Sequence, residues 1–167
     1  SIGDIMAGLF TAAGVNAALY ARERSGEGVM VDVAMLDCQV AILENAIARY
    51  FATGEVPGPI GSRHPSITPF EAYATEDGYV VIAAGNDALF ARLCVVLGRD
   101  ELAAEPRFAT NAARTEHHDD LKREIEAVLA ARPAAAWLSA LEDAGIPCAP
   151  IQDVAQVLAD PQVRSRH

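Results

Sequence analysis

A single carboxylate near the start of the chain is the first candidate for chemistry. Asp4 is the only charged residue among residues 1–21, and glycines lie just before it and one turn after it, at Gly3 and Gly8. A carboxylate at a glycine-lined helix start can serve as a nucleophile or base once bound substrate excludes water. The same carboxylate could instead cap the helix by accepting backbone N–H groups. The two roles are compatible, because a cap also holds the side chain in place.

A second group of reactive side chains lies in a segment rich in glycine and proline. Arg63 and His64 place a cation and a base inside residues 53–69, which also contain Gly54, Pro57, Gly58, Pro59, Gly61, Pro65 and Pro69. So many breakers are incompatible with a regular element, and binding and catalytic groups are concentrated on loops. We expect a linker or a mobile active-site loop here. For His64, a polar loop residue without function is the alternative.

The sequence around the histidine pair at 117–118 predicts a solvent-exposed surface rather than a metal site. His117, His118, Asp119 and Asp120 resemble a metal site in composition, but adjacent histidines on a helix point in different directions. We therefore expect a solvated charged face and no metal. The glycine spacings match no nucleotide-binding motif.

Composition excludes several classes of protein. Half of the 167 residues are apolar, so a sizeable core can form, and 13 basic against 23 acidic residues give a net charge of −10. This charge argues against nucleic acid or an anionic membrane as the main partner. Cys38, Cys94 and Cys148 have no CxxC spacing, which is typical of reduced thiols in a cytoplasmic protein. Cys94 is expected to be buried and structural.

The apolar stretch Ile5–Ala21 is expected to be a buried helix. It is rich in alanine and interrupted by Asn16 and glycines, so it falls short of a membrane span. The chain begins without Met inside this patterned segment, and we expect that an N-terminal portion of the protein precedes it.

The periodicity of the remaining chain predicts alternating helices and strands. Asp-Gly at 77–78 is a hairpin turn signal, Asn86 or Asp87 should cap a helix, and Gly145 should end one. The predicted elements are a helix ending near Arg24, a strand at 29–33, a helix at 36–50, strands at 70–74 and 79–84, helices at 87–97, 121–131 and 134–144, an extended segment at 146–151 and a short helix at 154–158. The predicted class is α/β.

Several phrases, in this order, resemble the class III CoA-transferase family (CaiB/BaiF type). This family includes formyl-CoA and carnitine CoA-transferases and 2-methylacyl-CoA racemases. The matching phrases are Gly3-Asp4 before a small-residue helix, residues 21–37 (ARERSGEGVMVDVAMLD), residues 61–66 (GSRHPS) through Asp77-Gly78-Tyr79, Gly85-Asn86-Asp87 with Phe90, residues 106–111 (PRFATN), Trp137, residues 145–150 (GIPCAP) and residues 160–163 (DPQV).

The resemblance implies that the chain is divided into four segments of a larger two-domain protein. Residues 1–52 would be the end of a Rossmann-like large domain, 53–69 a linker and active-site loop, 70–145 a small α+β domain, and 146–167 the return toward the large domain. Family members are about twice this long and form interlocked dimers. A homodimer or a partner chain would therefore supply the missing N-terminal half, which binds most of the CoA nucleotide.

The resemblance also implies a reaction at Asp4. In the family's transferases this aspartate attacks an acyl-CoA to form a mixed anhydride and then an aspartyl-CoA thioester, from which a carboxylic acid acceptor takes the CoA. The CoA thioester is a substrate, and no cofactor is bound covalently beforehand. Arg63 and His64 lie where formyl-CoA transferase has a glycine-rich closing loop. Backbone N–H groups of Gly3, Gly8 and Gly61 are candidate oxyanion donors.

Two alternatives remain open. A 2-methylacyl-CoA racemase would use the same aspartate with a histidine of the missing half, but racemases carry a glutamate near Asn86-Asp87, so the transferase is favoured. The chain could also be a non-catalytic fragment or subunit that needs a partner chain. We expect the isolated chain to be inactive and to bind CoA poorly.

Overall fold

The computed structural model describes residues 1–166, which form two compact units divided between Pro59 and Ile60. The first unit holds three helices: α1 (Ile2–Ser25), α2 (Met35–Ala41) and α3 (Glu44–Thr53). The second holds strands β1 (Phe70–Ala74), β2 (Tyr79–Ala83) and β3 (Cys148–Pro150). Its helices are α4 (Asp87–Leu97), α5 (Glu101–Ala104), α6 (Asn111–Glu116), α7 (His118–Leu129), α8 (Ala134–Asp143), α9 (Val154–Ala159) and α10 (Pro161–Arg164).

Helix α1 ends where the sequence predicts, but it is not buried. Gly26 adopts a left-handed conformation with φ 76° and donates its N–H to the Arg22 carbonyl at 2.8 Å, which closes the helix. None of its residues is buried. The expectation of a buried helix is wrong for this chain, because the first unit has too few elements to cover an apolar helix of 24 residues.

Length and composition alone would allow α1 to cross a membrane. An 18-residue window of this helix has a mean hydropathy of 1.4. By length and hydropathy, therefore, the helix meets the criteria for a membrane span, contrary to the expectation from the sequence. The observation is weak, because core helices of other proteins share both properties.

Two other predicted elements of the first unit differ from the structure. Residues 29–33 form no strand, because no second strand pairs with them within residues 1–166. The helix predicted at 36–50 is divided into α2 and α3, and a tight turn in which the Leu43 N–H donates to the Val40 carbonyl at 3.1 Å separates them.

The second unit is built on a three-stranded antiparallel sheet in the order β1-β2-β3. The hairpin pairs Phe70 with Ala83 and Ala74 with Tyr79, and Val80 pairs with Pro150 of β3. The hairpin prediction is thereby confirmed. Mixed helices with a small antiparallel sheet match the small α+β domain expected from the sequence.

Helices pack on this sheet around one apolar core. Cys94 is buried in it, as predicted, and so is Trp137, whose indole N–H donates to the Leu129 carbonyl at 2.9 Å. Helix α4 begins as predicted, because the Asn86 side chain accepts the Leu89 N–H at 2.8 Å. The buried apolar residues of this core are Tyr73, Val80, Ile82, Ala84, Phe90, Leu93, Cys94, Leu97, Leu102, Phe108, Leu121, Ile125, Leu129, Trp137, Leu141 and Ile146.

Candidate functional site

Asp4 lies in the first turn of α1 and is exposed. The N-cap position belongs to Ser1, and no side chain caps this helix. The expectation that Asp4 is the N-cap is therefore wrong. The reason is that the Ile5 N–H already donates to the Ser1 carbonyl at 3.1 Å, so the helix starts before Asp4. The carboxylate still lies where the helix dipole favours a negative charge.

The two glycines beside Asp4 have different environments. Gly3 lies in the first turn, whose backbone N–H groups have no partner within the helix. Gly8 lies further along, where an N–H donates to the carbonyl four residues earlier. Of these two candidate oxyanion donors, Gly3 therefore has an available N–H group.

Gln39 packs close to Gly3, a contact that sequence reasoning missed. A Cβ placed on Gly3 would lie 3.0 Å from the Gln39 Cδ and 3.1 Å from its Nε2. The amide of this α2 residue therefore lies against Gly3. No short-range pattern could have indicated it, because the contact joins residues that are far apart in sequence.

The predicted active-site loop is attached to β1 by hydrogen bonds. Gly61 is left-handed with φ 67°, a conformation that favours glycine. The His64 N–H donates to the Phe70 carbonyl at 2.8 Å, and the two rings stack with centroids 5.4 Å apart. The Ser66 N–H donates to His64 Nδ1 at 3.2 Å. That bond leaves Nε2 to carry the proton of the neutral ring.

Arg63, in the same loop, lines a polar cavity. The cavity measures about 290 Å³ and is lined by Arg63, Thr115, Glu116, His117, His118, Asp119 and Asp120. Within residues 1–166 the buried Nε of Arg63 has no hydrogen-bond partner. The pKa of Asp119 is lowered mainly by its hydrogen bond with His118, with a smaller contribution from Arg63.

The histidine pair does not form the solvated face that the sequence predicts. His118 is only 8% exposed, and its Nε2 contacts a carboxylate oxygen of Glu71, which is 4% exposed. Its Nδ1 lies 2.8 Å from Asp119, and Lys122 contacts the second oxygen of Glu71. The prediction of an exposed face is wrong for His118 because α7 packs on β1 through these polar contacts. Among residues 1–166 no group of three or more His, Cys, Asp or Glu side chains is placed to hold a metal.

A larger cleft lies at the end of the hairpin. Its volume is about 610 Å³, and its lining residues are Ile67, Phe70, Ala83, Gly85, Asn86, Asp87, Leu89 and Asn111. A Cβ at Gly85 would lie 1.9 Å from Ile67 Cγ2, so only glycine fits there. This close approach brings the predicted active-site loop against the end of β2.

Arg114 holds the backbone next to this cleft through hydrogen bonds. Its side chain is fully buried and donates to the carbonyls of Thr68, Phe108 and Gly85 at 2.7, 2.9 and 3.0 Å. It also pairs with the Asp87 carboxylate at 2.8 Å. The guanidinium therefore fixes the position of the loop after β2.

The candidate residues fall into two groups. Asp4, Gly3 and Gln39 belong to the first unit, and Gly61, Arg63 and His64 belong to the second. Three free thiols lie among residues 1–166, and burial raises the pKa of Cys94 to about 11, so this thiol is no nucleophile at neutral pH.

Comparison with known proteins gives one consistent match along the chain. The model of CoA-transferase family III matches residues 1–167. Acetyl-CoA:oxalate CoA-transferase of Acetobacter aceti is 43% identical over 167 residues, which are 100% of this chain and 43% of that protein. Succinyl-CoA:glutarate CoA-transferase of Mus musculus is 36% identical over 160 residues, which are 96% of this chain and 37% of that protein.

A solved structure shares the fold. The crystal structure of a CAIB/BAIF family protein from Brucella suis has a TM-score of 0.85 and 38% identity, and the match covers 99% of this chain and 44% of that one. The chain thus spans less than half the length of the relatives it matches.

Proposed function

Because the chain belongs to CoA-transferase family III, we propose that the protein containing it moves coenzyme A from an acyl-CoA to a carboxylic acid, with Asp4 as nucleophile. The family expected from the sequence is confirmed by the match to residues 1–167. The observation that carries the proposal is the position of Asp4, an exposed carboxylate in the first turn of α1.

The first half of the reaction transfers the acyl group to Asp4. A carboxylate oxygen forms a bond to the thioester carbonyl carbon, and the carbonyl π pair moves to its oxygen. The oxyanion then collapses, the C–S bond breaks, and CoA leaves as a thiolate. The helix dipole favours a negative charge at the position of Asp4, and the unpaired N–H of Gly3 is a donor for the oxyanion.

The second half transfers CoA to the acceptor. The thiolate attacks the Asp4 carbonyl of the mixed anhydride, which releases the first acid and leaves an aspartyl-CoA thioester. The acceptor carboxylate then attacks this thioester, the C–S bond breaks, and CoA leaves as a thiolate from a second mixed anhydride. The thiolate attacks the acceptor's carbonyl carbon in that anhydride, which forms the new acyl-CoA and releases Asp4 as a carboxylate. We assign the loop of Gly61, Arg63 and His64 to covering the aspartyl intermediate, because water would hydrolyse it.

The assembly and location follow from the same proposal. The missing part of the CoA site would come from an N-terminal half or a partner chain, in an interlocked homodimer. The absence of disulfides among the three cysteines within residues 1–166 supports the cytoplasm as the compartment.

A trapping experiment tests Asp4 directly. The intact protein containing this chain is incubated with acyl-CoA, quenched with hydroxylamine, digested and analysed by mass spectrometry. We expect a hydroxamate on Asp4 in the wild type and none in Asp4→Asn, whose transferase activity should fall at least about 10⁴-fold, as for loss of other nucleophiles. Full activity of Asp4→Asn would disprove the assignment.

The racemase is the second candidate, and the contacts of residues 86 and 87 argue against it. Asn86 caps α4, and Asp87 is paired with Arg114, so neither residue is the glutamate that racemases carry near this position. The two reactions differ in deuterium exchange. A racemase exchanges the α-hydrogen of a 2-methylacyl-CoA with solvent without any acceptor acid, whereas we expect no exchange here.

A further inference from the structure

One face of the short helix α6 carries the side chains that contact the predicted active-site loop. Asn111, Arg114 and Thr115 have the i, i+3, i+4 spacing that places side chains on one side of a helix. The Asn111 amide accepts the Thr68 N–H at 3.0 Å and donates to the Ser66 carbonyl at 2.8 Å. The hydroxyl groups of Thr115 and Thr68 lie 3.1 Å apart. This face of α6 therefore holds the end of the loop.

Arg114 is the buried centre of this face. Four of the five N–H donors of its guanidinium have acceptors, which are the carbonyls of Thr68, Phe108 and Gly85 and the carboxylate of Asp87. The three carbonyls lie outside helices and strands, so their backbone partners are not supplied by a regular element. Apolar side chains of similar volume often stabilise a core as well as a buried ion pair does. What the guanidinium adds is a fixed geometry of three backbone segments.

Hydrogen bonds within the loop carry this fixed geometry to His64. Ser66, whose carbonyl accepts from Asn111, donates its N–H to His64 Nδ1 at 3.2 Å. The His64 N–H in turn donates to the carbonyl of Phe70, the first residue of β1, at 2.8 Å. The segment that follows Arg63 is thus held by α6 at one end and by β1 at the other.

We propose that Arg114 is a positioning residue that holds the predicted active-site loop where it excludes water from the aspartyl intermediate. The proposal rests on the proposed function, in which this loop covers that intermediate. Asn111 and Thr115 support the same position from the same face of α6. The guanidinium takes no part in bond making and acts through the backbone of Thr68 and the loop before it.

Hydrolysis is the side reaction that a displaced loop would allow. A water oxygen attacks the Asp4 carbonyl of the aspartyl-CoA thioester, the C–S bond breaks, and CoA leaves as a thiolate. One proton of the water goes to the thiolate and the other to solvent, so Asp4 returns to its carboxylate. Over the whole cycle, acyl-CoA and water become the free acid and free CoA, and the acceptor receives nothing.

Arg114→Lys tests the role in the intact protein containing this chain. Lysine keeps a positive charge near Asp87, but its ammonium group lacks the planar fork that binds three carbonyls. Acetyl-CoA is the donor and oxalate the acceptor, and chromatography measures free CoA and oxalyl-CoA. We expect the ratio of hydrolysis to transfer to rise about 10-fold, since a displacement of about 1 Å far from the reacting atoms can change a rate about 10²-fold.

This ratio distinguishes positioning from a purely structural role. A variant that only destabilises the fold lowers the amount of active enzyme, which reduces hydrolysis and transfer alike and leaves their ratio unchanged. Arg99→Lys is the matched control, because the side-chain hydrogen bonds of Arg99 go to Glu101 and Glu124, outside the loop. Its ratio should equal that of the wild type.

Thr115→Val is a milder variant on the same face. It retains the shape of the side chain and removes only the hydroxyl contact with Thr68, so it tests the loop should Arg114→Lys fail to fold. We expect a smaller rise in the ratio than in Arg114→Lys. Thr75→Val is its control, since the Thr75 hydroxyl contacts Asp77 in the hairpin turn at 3.3 Å, and its ratio should be unchanged.

The outcomes separate this proposal from the proposed function. An unchanged ratio in Arg114→Lys would overturn the role of Arg114, even if both rates fell. If that variant does not fold, an unchanged ratio in Thr115→Val would overturn it instead. Neither result touches the hydroxamate on Asp4, so the nucleophile would stand. If wild-type protein shows no label on Asp4, the proposed function itself is wrong, and the role of Arg114 is disproved with it.

Discussion

At the scale of single residues, the second unit depends on charged groups placed inside it. Glu71 is a buried carboxylate that contacts the imidazole of His118 and the ammonium group of Lys122, and Lys122 Nζ also lies 5.3 Å from the Tyr73 ring centroid. Removing one partner of such a buried pair typically costs about 3–5 kcal/mol, because the other charge stays buried. The phenol of Tyr73 shares this environment and gives it a measurable pH dependence.

Tyr73 should limit stability in alkali. Burial, followed by the charges of Glu71 and Glu126, raises its pKa well above the ordinary 10.0. The folded state therefore keeps the proton that the unfolded chain releases above pH 10. Its contribution to stability is complete below that pH and is lost as pH rises toward the folded pKa, by about 1.4 kcal/mol per pH unit. Denaturant unfolding at several alkaline pH values should show this slope.

Tyr73→Phe is the control for this slope. The variant retains the ring but cannot ionise, so its stability should fall less steeply above pH 10. The difference in tyrosinate absorbance between the two proteins isolates Tyr73 and should appear only with unfolding. Equal slopes in both proteins would contradict the prediction.

The surroundings of single side chains were harder to predict from the sequence than the secondary-structure elements. The loop position of Arg63 and His64 and the burial of Cys94 follow from local composition and apolar periodicity. The burial of His118 does not, because its partner Glu71 is 47 positions away in sequence. The approach of Gln39 to Gly3 is equally non-local. Such contacts arise from packing between elements, and a run of histidines and acids carries no sign of them.

At the scale of elements, close packing determines where the predicted active-site loop meets the sheet. Gly85 follows β2 and touches Ile67, while Arg114 of α6 joins both sides through the carbonyls of Gly85 and Thr68. The cleft near Asn86 therefore has a wall that tolerates little change in volume.

Gly85→Ala should destabilise the second unit. The added Cβ would lie 1.9 Å from Ile67 Cγ2, and overpacking of this kind costs about 1–3 kcal/mol. Urea unfolding measures the loss. Gly78→Ala is the control, since its Cβ meets nothing within 4 Å, and it should change stability by less than about 0.5 kcal/mol.

A double variant checks the cause. Ile67→Ala removes the methyl group that clashes, so Gly85→Ala should cost less in that background, with a coupling of about 1 kcal/mol or more. Additive effects of the two substitutions would show that the clash is not the reason for the loss.

Elements with strong local signals were predicted well. The Asp-Gly turn indicates the hairpin, and Asn86 marks the start of α4. Gly26 and Gly145 mark the ends of α1 and α8. Each of these signals acts within a few residues. The strand at 29–33 was wrong because extended backbone becomes a strand only with a partner. The division between α2 and α3 lacks glycine or proline and gave no signal.

At the scale of the whole molecule, the first unit leaves apolar surface uncovered. The exposed large apolar side chains of α1 are Ile2, Ile5, Leu9, Phe10, Val15, Leu19 and Tyr20. An exposed surface of this kind marks an interface. In the proposed enzyme it would lie against the N-terminal half or a second chain.

The isolated chain should therefore associate. We expect sedimentation of the 167-residue chain to show oligomers at micromolar concentration, and a chain of residues 60–167 to stay monomeric, because α1 is absent from it. Calorimetry should also detect no tight CoA binding to the isolated 167-residue chain. A monomer that binds CoA tightly would favour a self-sufficient fold and contradict both expectations.

Trp137 gives the two units different optical properties. It is the only tryptophan of the chain and is buried among the helices of the second unit. Its fluorescence emission therefore reports the unfolding of that unit and does not detect the unfolding of α1–α3. Far-ultraviolet circular dichroism detects the helices of both units. When the two curves are recorded on one sample, their separation or coincidence shows whether the half that carries Asp4 unfolds independently or cooperatively with the rest.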